Sequence, residues 1–137
     1  MYESDYILNE ARKLAQLLAR LMGLKTEGKF DEYNALFADT LQRQYDTDLD
    51  SLLQLSEDDF EIQIKQSVYS AEKLNALGQL LYVFVEPFDA DEQTELLLKK
   101  VLIVFDQLEQ KHHFQSFENI DKRTIIYRYF NTSYERT

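Results

Sequence analysis

The chain has 137 residues, 45% of them hydrophobic, and no cysteine. That length implies one domain whose core needs no covalent staples, and the missing thiols exclude disulfide frameworks, thiol catalysis and cysteine zinc sites. With 25 acidic and 15 basic residues the net charge is −10, a field that repels phosphate backbones, so no nucleic-acid partner is expected.

Three glycines and one proline are too few for the turns of a sandwich or barrel, and the chain reads as all-α, with five or six helices. The opening MYESDYILNEARK lacks a basic stretch followed by an apolar run, so no secretory leader is expected. Together with the absent cysteine this fits a cytoplasmic protein. A first helix is predicted from Asp5 to Glu27, capped by Ser4. Ile7, Ala11, Leu14, Leu18 and Leu21 form one stripe at helical spacing. Leu17, Met22 and Leu24 widen that stripe, which implies neighbours on two sides. Gly28 stops the helix. A second helix is predicted from Asp31 to Tyr45, with Phe30, Tyr33, Phe37 and Leu41 facing the first. The short break makes the two an antiparallel hairpin.

A helical turn over Leu49 to Leu53 is followed by Ser56 and Asp59, a capping box in acidic form. The helix after it carries Phe60, Ile62 and Ile64, a partly alternating pattern. Ser70 caps a helix from Ala71 to Val85, which Pro87 ends. Asp89 or Asp91 caps a long helix to Lys111, lined by Leu97, Val101, Val104, Phe105 and Leu108. Leu98, Leu102 and Ile103 fill its other faces, so this helix is expected to be the central and most buried one. Its LLLKKVLIVF core, Leu96 to Phe105, holds two lysines and is far shorter than the ~20 apolar residues of a membrane span, so no membrane partner is expected. A last segment from Phe117 to Phe130 is read as helix, although TIIYRYF suits an extended conformation equally well. The tail NTSYERT is expected to fray.

Gly28-Lys29-Phe30, with Tyr33 and Phe37 behind it, resembles the turn of a tetratricopeptide repeat, with larger residues at Tyr33 and Thr40 than the family prefers. Leu77-Gly78 resembles the leucine-glycine pair of that family's first helix, where glycine lets a partner helix approach. The corners near Gly28 and near Pro87 to Asp91 are too far apart for the repeat period of ~34 residues. The chain therefore looks like a small bacterial family of tetratricopeptide-like helical domains rather than a regular solenoid. That resemblance implies a protein-contact scaffold without chemistry.

No motif for catalysis stands out. His112 and His113 are adjacent, so on a helix they point ~100° apart and cannot share a metal as an i,i+4 pair does. The acidic runs Ser56 to Glu61 and Asp89 to Glu92 sit at helix starts, where carboxylates complement the dipole. No phosphate loop, dinucleotide fingerprint or nucleophile elbow is present, so no catalytic, metal or cofactor-binding residue is assigned. The C-terminal aromatics Tyr127, Tyr129, Phe130 and Tyr134 are the candidate protein contacts. Of these, Tyr127 and Phe130 are expected to pack on the core, and Tyr129 and Tyr134 to be more exposed.

The expected function is that of a non-enzymatic scaffold binding a protein partner or a second copy of itself, through a helix face and the C-terminal aromatics. The alternative is a small-molecule pocket or an enzyme site between helices. A deep pocket with convergent polar groups would favour the alternative, and an apolar groove or flat patch open to solvent would favour the scaffold.

Overall fold

The computed structural model describes residues 2–135, with side chains placed from 5 to 132. The described residues form seven helices and no strand: α1 (Tyr2–Thr26), α2 (Phe30–Tyr45), α3 (Leu49–Gln54), α4 (Glu57–Gln66), α5 (Ala71–Val85), α6 (Glu92–His112) and α7 (Phe117–Glu135). The number exceeds the expected five or six because Leu49–Gln54 is a helix of its own, with Asp48 Oδ1 accepting from Ser51 N at 2.8 Å.

The starts follow the cap chemistry of the sequence. Ser56 Oγ accepts from Asp59 N at 3.1 Å, Ser70 Oγ from Lys73 N at 3.1 Å, and Asp91 Oδ1 from Thr94 N at 2.7 Å. Each satisfies an amide that the first turn leaves without a partner. The N-terminus differs: α1 begins at Tyr2, so Ser4 lies inside its first turn instead of capping it. Gly28 has φ 74°. Its N–H donates to Lys25 O at 3.1 Å and that of Lys29 to Leu24 O at 2.9 Å. This is a Schellman stop, whose left-handed position glycine occupies without a Cβ penalty. Helix α5 stops because Glu86, with ψ 138°, is pushed out of the helical region by Pro87.

Helices α5 and α6 form the centre. Helix α1 packs on α5 and also on α2, while α3, α4 and α7 lie against α6. Ten of the 15 residues of α5 are buried, against nine of the 21 of α6. The most buried helix is thus α5, not α6 as expected, because α6 covers one of its sides and α1 another. Phe37 of α2 stacks on Phe84 with ring centroids 4.4 Å apart. Tyr45 donates to Lys73 O at 2.7 Å. In α4, Phe60 and Ile64 are buried and Ile62 is exposed, so the ambiguous pattern resolves as helical spacing. Phe30 does not face α1; as the first residue of α2 it stands at the corner, 57% exposed.

Lys100, fully buried on α6, is the least expected core residue. Its Nζ has no hydrogen-bond partner among the described residues and lies 5.8 Å from the centroid of the Phe60 ring. Burial pushes its pKa below the usual lysine value, against the attraction of Glu57. Lys100→Met keeps the volume and removes the charge, and should raise stability on the order of 1 kcal/mol at pH 7. Because the folded-state pKa lies below the unfolded one, the unfolded chain holds the extra proton in the window up to about 10.5. The wild type therefore gains stability as pH rises through that window, and the variant lacks that gain. Denaturation at pH 7 and pH 9.5 checks both points. A Lys100→Met protein less stable than wild type at pH 7 would mean that the ammonium is compensated.

Candidate binding groove

The C-terminal aromatics Tyr127, Tyr129 and Phe130 lie on α7. Helix α7 is helical through Glu135, so the extended alternative for TIIYRYF does not hold and helix continues into the expected frayed tail. Tyr129 donates to Asp89 O at 2.7 Å and packs edge-on against Phe88 and Phe130, with centroids 5.6 and 5.3 Å away. Phe88 in turn meets Tyr82 of α5 at 5.3 Å. Tyr129 and Phe130 thus hold α7 against the α5–α6 connection. Tyr127 is 47% exposed. Relative to expectation, Tyr127 and Tyr129 exchange roles. They are two residues apart, so a helix turns them ~200° from each other, and the placement of Phe88 and Asp89 in the α5–α6 connection decides which faces inward. The side chain of Tyr134 lies outside the described residues.

Helix α7 is anchored by polar groups as well as by the fully buried Ile126. Arg123 reaches Asp106 at 2.7 Å and Glu109 at 3.2 Å on α6. Towards α5, Gln79 Nε2 donates to Asn119 Oδ1 at 2.7 Å, and Asn119 Nδ2 donates to Asn75 Oδ1 at 2.8 Å. Lys122 Nζ donates to Gln79 Oε1 and, at 2.6 Å, to Glu118 Oε1. Buried amides of this kind are stable only when paired, and these are.

This mode of attachment holds α7 off α1 and leaves a groove of about 540 Å³ between them, floored by α5. Ala15, Leu18, Ala19 and Met22 form the α1 wall. Tyr82 and Val83 form the apolar floor, and Ile125 stands on the α7 wall. The groove continues past Leu18 into a hollow of about 190 Å³ beside Ala11 and Ala76. Past Met22 it continues into one of about 250 Å³ beside Thr26 and Pro87. From Ala11 to Thr26 that is about 22 Å along α1. Ala11, Ala15 and Ala19 recur every four residues along it, so little side chain fills it.

The rim is acidic. Glu72, Glu86, Glu118 and Asp121 line the groove and its extensions, against Lys25 and Lys122. Both lysines are turned onto the protein: Lys122 onto Gln79 and Glu118, and Lys25 onto Val83 O and, at 3.4 Å, Phe84 O. Burial lowers the pKa of Lys25 and Glu86 opposes this, while burial, helped by Glu86, pushes Tyr82 up to about 12.

His112 and His113 do not converge: His113 is the left-handed C-cap of α6 and is exposed. Burial, then Lys111, lowers the pKa of His112, while Glu72 raises it. Among the described residues no three His, Cys, Asp or Glu side chains cluster closely enough to hold a metal ion. No helix among them is long and apolar enough to cross a membrane. Sequence reasoning missed the groove. Met22, Ala15 and Ala19 carried a signal, as apolar residues beyond the stripe of Ile7, Ala11, Leu14, Leu18 and Leu21. Comparison with protein-family models, with curated proteins and with solved structures finds no match.

Proposed function

We propose that the protein is a non-enzymatic interaction domain that takes a basic amphipathic helix of a protein partner into the α1–α5–α7 groove. The carrying observation is the groove itself: about 540 Å³, apolar on its walls and floor, extended at both ends, and acidic at its rim. An apolar trough of about 22 Å matches some four turns of a helix, whose i, i+3, i+4 and i+7 side chains would lie along it. The polar groups on the floor are already paired with one another, which speaks for packing rather than for chemistry. The acidic rim and the net charge of −10 favour a cationic partner and oppose a second copy of this chain. The paired helices α1–α2 and α5–α6 are read as tetratricopeptide-like hairpins, and Tyr127, exposed on α7, as a further partner contact.

Two fluorescein-labelled peptides of about eighteen residues test this, both with leucines at i, i+3, i+4 and i+7, one with lysines elsewhere and one with glutamates. The lysine peptide should raise its anisotropy on binding, more weakly as salt rises, and the glutamate peptide should not bind. Ala19→Arg fills the exposed trough with a cation and should weaken the lysine peptide at least about tenfold, or about 1.4 kcal/mol. Equal binding of the two peptides, or binding untouched by Ala19→Arg, would refute the proposal.

A further inference from the structure

Where α2 meets the α5–α6 connection, a second cleft of about 300 Å³ opens beside Phe30, Tyr33 and Phe84. Its mouth carries Glu86, Asp89 and Asp91. Asp91 is occupied as the cap of α6, whereas Glu86 and Asp89 are exposed. Lys25 contributes one positive charge on the inner side, its Nζ held by the α5 carbonyls and 5.6 Å from the centroid of the Tyr33 ring. Three carboxylates against one ammonium leave the cleft negative.

Tyr33 supplies the independent observation. It is 3% exposed, it lines the cleft, and its hydroxyl has no hydrogen-bond partner among the described residues. A buried hydroxyl without a partner is costly. It sits here among aromatic faces, which attract cations, under a rim of carboxylates. We infer that this cleft is a binding site for an organic cation bearing N–H groups, a guanidinium or a primary ammonium. The ring faces of Phe30 and Phe84 receive its flat or alkyl part. Glu86 and Asp89 supply the countercharge, and the Tyr33 oxygen accepts one N–H. That last contact sets the specificity, because a quaternary ammonium has charge but no proton to donate. The inference stands independently of the groove proposal, although the two sites share Lys25, Glu86 and Pro87. The cation is therefore either free or a side chain of a bound basic peptide.

The test is a titration of the full chain with methylguanidinium, followed by NMR. Shifts should centre on Phe30, Tyr33 and Phe84, with a Kd on the order of 1–10 mM, as suits so small a ligand. Tyr33→Phe deletes only an unpaired hydroxyl and keeps the fold; it should weaken methylguanidinium about threefold or more. Asp89→Asn, at an exposed position, should weaken it too. Tetramethylammonium should bind more weakly than methylguanidinium to the wild type and equally to wild type and Tyr33→Phe. Displacement of methylguanidinium by the lysine peptide would identify a peptide side chain as the source of the cation, and simultaneous binding a free one; either supports the site. Shifts spread over the whole acidic surface, or a Tyr33→Phe protein that binds methylguanidinium as the wild type does, would overturn the inference. Failure of the lysine peptide to bind at all would refute the groove proposal and leave this one standing.

Discussion

Gly78→Leu should cost about 3 kcal/mol net and lower Tm by roughly 10 °C. Gly78 is buried in α5 where α6 crosses it. A Cβ at this position would come 3.1 Å from Val104 Cγ1 and 3.2 Å from Phe105 Cε1. These are tight contacts for one carbon, and leucine adds three more in the same direction. Val104 and Phe105 are themselves 0% and 1% exposed, so neither can swing into solvent. The helices must separate, and the surrounding core loses contacts all along α5 and α6. Leucine recovers about 1 kcal/mol through helix propensity, which the 3 kcal/mol already includes. Gly78→Ala should stay within about 1 kcal/mol of wild type, its propensity gain offset by a few tenths of an ångström of displacement. Thermal or urea denaturation of both variants checks this. A Gly78→Leu protein as stable as the wild type would show that the α5–α6 crossing is looser than described.

Gln79→Leu is expected to cost about 2–3 kcal/mol. The side chain is 6% exposed and bonds to Asn75, Asn119 and Lys122 at once. Leucine matches its volume, so the loss is one of pairing. Asn119, 7% exposed, keeps its bond to Asn75 but loses the donor to its carbonyl, and Lys122 keeps Glu118 and the face of the Tyr82 ring. Adding Asn119→Leu removes the stranded amide, so the double variant should be more stable than the sum of the single effects by about 1 kcal/mol. Amide exchange should quicken in α7 before it does in α5, because this network is a main tie between them. Strict additivity in the double-mutant cycle would refute the network as a unit.

Helix positions were legible because their signals are local. Ser56, Ser70 and Asp91 each lie three residues from the amide they cap, and Gly28 closes its stop within five. The tight approach at Gly78 was legible too, since a glycine inside an apolar helical run is costly unless a neighbour needs the space. The groove was not. Gln79 and Asn119 are 40 residues apart, and Lys25 and Val83 are 58. No periodicity encodes such pairs, so nothing along the chain shows that Lys122 turns inward or that α7 is held off α1. The same holds for the side chains whose surroundings were misjudged. Tyr127 and Tyr129 differ only by a rotation about their helix. Spacing along a chain determines which residues share a helix face, but how far that face is covered depends on elements distant in sequence, and in this protein that coverage made the groove.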